Sequence, residues 1–115
     1  MATAVANAES VVLTRFIDHG SDRVATHTIV PDYPHIARRD RIEGEVKVCY
    51  QIDKKGRPYR VAVRNSTHRI FERGSLRAVK ASRYLPLKKG EQRSGIKTCR
   101  TFRFELTPTV AENAD

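Results

Sequence analysis

Cys49 and Cys99 are the residues of this 115-residue chain best placed for covalent chemistry, and their parity bears on what that chemistry is. Val46, Val48, Tyr50 and Ile52 alternate with Lys47, Cys49 and Gln51, which is the period of a half-buried strand. Cys49 therefore points to the wetter face. Phe102 and Phe104 mark a core face near the end of the chain, and strict alternation places Cys99 on the opposite face too. Two thiols of matching parity can meet across neighbouring antiparallel strands. A bridge would close a loop of about 50 residues and would persist in an oxidising compartment. The matching parity favours that bridge; the alternative is two separate thiols in a reducing compartment. The same alternation sends Arg100 inward, which predicts either snorkelling off a sheet edge or a bulge.

Little else in the sequence is arranged for chemistry. His19, His27, His35 and His68 are scattered, without metal-ligand spacing. HExxH, GxSxG, CxxC and Gly-rich phosphate loops are missing from the sequence. Asp53 reads as a turn residue and Glu72 as a carboxylate in the first turn of a helix. The expectation is a protein without catalytic residues, cofactor or metal.

The net charge is +9. Residues 31–106 hold twenty Lys and Arg against eight Asp and Glu, whereas residues 1–30 and 107–115 are each slightly acidic. A cationic folded part favours anionic partners such as cell wall, acidic peptide, anionic lipid or nucleic acid; a solvated basic face is the plainer reading. Nucleic acid is disfavoured, because the outer sheet face offers Lys47, Cys49, Gln51 and Thr101 and no aromatic stacking platform. No apolar run approaches the roughly 20 residues of a membrane span. Residues 1–10 lack the basic and apolar regions of a signal peptide.

Several elements must position these residues. Residues 1–10 are small and polar and expected to be disordered. Residues 10–18 and 23–30 are β-rich, and a hairpin between them is expected. Pro31, Asp32, Tyr33 and Pro34 form an extended stretch, and a short helix follows over residues 35–41. A hairpin comes next, with Asp53, Lys54, Lys55 and Gly56 as its turn. Asn65, Ser66 and Thr67 look like a cap for a helix over 68–83. Phe71, Ser75, Ala78, Val79 and Ser82 fall on its inner side, and Arg69, Arg73, Arg77 and Lys80 on its outer side. Residues 88–94 read as a polar loop and residues 96–106 as the last strand.

The expected fold is α+β: a β-β-α-β core, with a three-stranded antiparallel or mixed sheet and one helix packed on one face, preceded by a short helix. Pro58 opens the second strand, and proline belongs on edges. The first strand is thus expected in the centre and the last strand on the far edge. The expected organisation is an N-terminal extension at 1–30, flexible or partly β, a folded domain at 31–106 and a tail at 107–115.

Three segments taken together resemble a known family: "YPHIARRDRIEGEVKVCYQIDKKGRPYRVAV", "HRIFERGSLRAVKASRYLP" and "SGIKTCRTFRFEL". The pattern of Tyr33-Pro34, Ala37, Gly44-Glu45-Val46, the Asp53-to-Gly56 turn, Phe71-Glu72-Arg73 and Arg83-Tyr84-Leu85-Pro86, followed by a last strand, is similar to the C-terminal domain of TonB, the periplasmic energy transducer. The likeness spans about residues 31–106. Ser82 stands where members usually carry tryptophan, and the two cysteines are not general to the family.

The resemblance implies a periplasmic domain of a transducer anchored in the inner membrane, where other segments contact a proton-driven motor complex. It implies that the domain grips the TonB box and plug of an outer-membrane transporter by strand addition, passing energy to active uptake. Ile96, Lys97, Thr98, Cys99, Arg100, Thr101 and Phe102 would form the accepting edge. Pro31, Asp32, Tyr33 and Pro34 would be a secondary contact, and peptidoglycan a further candidate partner. The competing reading is a basic periplasmic, cell-wall or nucleic-acid binding module with no part in transport.

Overall fold

Alternation in residues 44–52 sets the centre of the sheet. The structure, a computed structural model, describes residues 10–20, 22–92 and 95–108. The order is β1 Ser10–His19, β2 Ala25–His27, α1 His35–Arg39, β3 Gly44–Ile52, β4 Pro58–Ser66, a 3₁₀ turn at Arg69–Phe71, α2 Glu72–Ala81, β5 Arg83–Tyr84 and β6 Thr98–Pro108. The disorder expected over residues 1–9 lies outside the described residues, as does the tail from residue 109 on. Residues 107 and 108 belong to β6.

Along β3, Val46, Val48, Tyr50 and Ile52 are all buried. They meet Phe102 and Phe104 of β6 on the same face, which is covered by Phe71 of the 3₁₀ turn and by Ser75, Ala78 and Val79 of α2. Burying those side chains supplies most of the driving force, roughly 1.5–3 kcal/mol for each large apolar one. The phase read for the helix is correct; its outer residues Arg69, Arg73, Arg77 and Lys80 are exposed. The helix starts later than expected, because His68 is extended and a 3₁₀ turn at Arg69–Phe71 precedes Glu72; residues 65 and 66 remain in β4. His68 caps the 3₁₀ turn through Nδ1, which accepts from Ile70 N–H, and Ser66 Oγ donates to Glu72.

The hairpin turn forms as the sequence demands. Asp53 Oδ1 accepts from Lys55 N–H and Arg57 N–H at 2.9 and 2.8 Å. Gly56 follows at φ +87°, with the Tyr84 carbonyl where a Cβ would sit. No L-residue with a side chain fits there without moving β5.

The main sheet has four antiparallel strands in the order β1-β6-β3-β4, one more than expected. β3 is central between β4 and β6, as Pro58 and the alternation indicate. The far edge differs. β1 pairs along β6 from Ser10 opposite Pro108 to His19 opposite Cys99, so β6 is an inner strand. The expected hairpin between residues 10–18 and 23–30 is absent: β2 pairs instead with β5 in a separate two-stranded sheet. Both N-terminal strands find partners more than 55 positions away, because β6 and β5 offered unpaired backbone there.

Candidate functional site

The sequence placed the partner-binding edge on residues 96–102, and the structure divides that run. Ile96 and Lys97 are exposed just before β6. Thr98 is buried and pairs with Tyr50 of β3. Cys99, Arg100, Thr101 and Phe102 lie between β3 and β1, opposite His19, Asp18, Ile17 and Phe16 of the latter. The edge expected to be free is therefore filled by the chain's own N-terminal strand. The physical reason is local: β1 supplies both the backbone partners and the counter-charge that β6 needs.

Arg100 shows that need. It points inward without any bulge in β6 and is 1% exposed. Its Nε and Nη2 donate to the two carboxylate oxygens of Asp18, the second at 2.8 Å. Nη2 also donates to the Tyr84 hydroxyl at 3.3 Å, and Tyr84 and Tyr50 share a hydroxyl–hydroxyl bond of 2.6 Å. The Phe16 ring lies over the guanidinium, 4.5 Å from its centroid. Neither expected escape, snorkelling or a bulge, is needed. Burial pulls the Arg100 pKa down, but the Asp18 hydrogen bond and its charged surroundings outweigh that and leave it raised. Burial, with the Tyr84 bond adding to it, pushes the Tyr50 phenol far above its ordinary range.

On the outer face Cys49 and Cys99 stand directly opposite each other and form a disulfide. The two side chains of matching parity are thus bridged and not separate thiols. The bridge ties β6 to β3 independently of β1.

The secondary set is only partly a surface. Tyr33 packs edge-on against Phe71 and Phe104, both at 5.7 Å, and its hydroxyl donates to Ile42 C=O. That makes it a core anchor touching β6 two residues beyond the expected edge. Pro31, Asp32 and Pro34 instead line a groove of about 410 Å³ along α2, with Ile70, Arg73 and Arg77. The two sets do not merge into one site. A larger polar cleft of about 580 Å³ opens where β6 begins, lined by Gln51, Tyr59, Arg60 and Ile96 among others.

Sequence reasoning missed β1 and Asp18 as parts of this site. The inward parity of Arg100 was the available signal, since a buried guanidinium requires a carboxylate. Among the described residues no group of three or more His, Cys, Asp or Glu is placed to hold a metal, and no helix is long and apolar enough to cross a membrane.

Comparison with known proteins agrees with this architecture. The sequence model of the family described as Gram-negative bacterial TonB protein C-terminal matches residues 29–106. The solution NMR structure of the Pseudomonas aeruginosa TonB C-terminal domain superposes with a TM-score of 0.54 at 27% identity, covering 83% of this chain and 92% of that one. No curated protein matches. Domains of this family are periplasmic, non-enzymatic parts of transducers that work with outer-membrane transporters. With a match over most of its length and a shared helix-on-sheet fold, the chain belongs to the family of TonB C-terminal domains.

Proposed function

We propose that this domain takes an extended periplasmic segment of an outer-membrane transporter, its TonB box, as an added strand on the β6 side of the sheet. Through that grip, proton-motive energy from an inner-membrane motor would reach active uptake. One observation carries the reading: on this side the sheet already holds an extended segment, β1, in a continuous antiparallel register of ten pairs. The opposite edge is poorly suited. β4 opens with Pro58, has register shifts against β3, and carries Arg60 at φ +53°; such features blunt an edge against pairing. Backbone bonds along β6 would hold the partner, and the Cys49–Cys99 bridge would pass load into β3. Lys97, exposed just before the strand, favours an acidic peptide in the encounter. The basic outer face of α2 remains available to an anionic surface such as peptidoglycan.

Titrating the isotope-labelled chain with the N-terminal periplasmic peptide of a transporter from the same cell tests this. Backbone amide shifts should concentrate on residues 96–108 and 10–19. Shifts restricted to Arg69, Arg73, Arg77 and Lys80 would refute strand addition and favour a purely electrostatic partner.

A further inference from the structure

β1 is extensively paired and yet peripheral. Among the described side chains, none from β1 belongs to the hydrophobic core cluster. The family match begins at residue 29, beyond β1. At the far end of β6, residues 105–108 pair with β1 beyond the reach of the β3–β6 register, and such a two-stranded ribbon is only marginally stable by itself. What β1 gives the interior is a cover for Arg100. Phe16 and Asp18 sit opposite Phe102 and Arg100 on the core-side face. Asp18 neutralises the guanidinium and Phe16 shields it. Both covering residues are themselves partly exposed: the Asp18 side chain at 35% and Phe16 at 38%.

Any strand replacing β1 must meet the same demand, because a buried guanidinium stripped of its carboxylate is strongly unfavourable. β1 also meets that demand incompletely. Arg100 Nη1 is buried without a hydrogen-bond partner. A strand bringing one more acceptor would satisfy a group that β1 leaves orphaned.

We propose that β1 is a resident strand that an incoming peptide replaces on β6, and that Arg100 selects a peptide carrying a carboxylate at the Asp18 position with an aromatic or bulky apolar residue two positions before it. The proposal rests on the strand-addition reading and specifies its ligand. Exchange leaves the rest of the domain in place, since the disulfide holds β6 to β3 and the core lies elsewhere. The tether gives β1 an effective concentration in roughly the millimolar range. A peptide without the carboxylate therefore cannot compete.

The test uses the full chain and a fluorescent peptide of its own residues 10–19, SVVLTRFIDH, with and without Asp18→Asn. In a chain carrying Asp18→Asn the resident strand has lost its charge. The unaltered peptide should bind that chain about tenfold or more tighter than it binds the unaltered chain, and about tenfold or more tighter than the Asp18→Asn peptide does. Equal affinity of the two peptides, or no binding at millimolar concentration, overturns selection by Arg100. A second variant, Arg15→Cys with Arg103→Cys, places two thiols opposite each other in register and locks β1 onto β6 when oxidised. The locked chain should exclude a transporter peptide that the same double variant accepts when its two added thiols are left unbridged. Undiminished binding to the locked chain would overturn replacement and leave strand addition standing, at the outer edge of β1. Binding to neither chain would overturn both readings.

Discussion

The buried guanidinium of Arg100 organises the polar interior. Asp18, Arg100, Tyr84 and Tyr50 form one connected chain of hydrogen bonds at the end of the core. Asp18→Ala removes the counter-charge and should destabilise the domain by about 1–3 kcal/mol in urea denaturation. The partial exposure of Asp18 keeps the cost below that of breaking a fully buried pair. Tyr50 predicts a pH effect. Its phenol holds its proton more tightly folded than unfolded, first through burial and then through Tyr84. That contribution is fully present below the unfolded value of about 10 and declines as pH rises above it. Stability measured between pH 9 and 11 should fall, and Tyr50→Phe should flatten the fall without abolishing it, since burial also raises Tyr33. At this scale the sequence was half legible. Alternation alone sent Arg100 inward, but nothing local to it names a carboxylate 82 positions away.

The hairpin, the helix face and the central position of β3 follow from periodicity, turn chemistry and Pro58, all of them local signals. β1 does not. Residues 10–18 carry the β-rich composition of a strand, but composition is silent about which strand is the partner, and the nearer candidate at 23–30 is not it. The edge of β6 that looked free was the one that captured it. Ser82 is another element-level detail. It is buried, its Oγ donating to Ala78 C=O and accepting from Ile29 N–H. There it links the end of α2 to the stretch entering Tyr33. The disulfide makes a separate prediction. It closes a separation of 50 residues between β3 and β6, so Cys49→Ser should lower stability by about 2–4 kcal/mol. Thermal unfolding of the variant beside the oxidised parent measures this; an unchanged midpoint would mean that the bridge only decorates a sheet already fixed by its core.

As a whole the molecule presents a strongly cationic domain in which the side of β6 away from β3 is filled by the chain's own β1. Under the proposed strand addition, charge would govern the approach of a partner and backbone pairing its retention, so the two would respond differently to salt. Lys97→Glu should slow association with an acidic transporter peptide several-fold at low ionic strength, leave dissociation nearly unchanged, and lose most of its effect near 0.5 M salt; stopped-flow binding separates the rates. Under strand addition the partner becomes a strand on the β6 side of the sheet. Inter-strand nuclear Overhauser contacts between an unlabelled transporter peptide and the isotope-labelled chain test it most directly. Strand addition predicts a ladder of amide and Hα contacts, alternating along the peptide, to β6 or to the outer edge of β1. A bound peptide whose contacts lie only along Arg69, Arg73, Arg77 and Lys80 of α2, with no ladder to either strand, would contradict it.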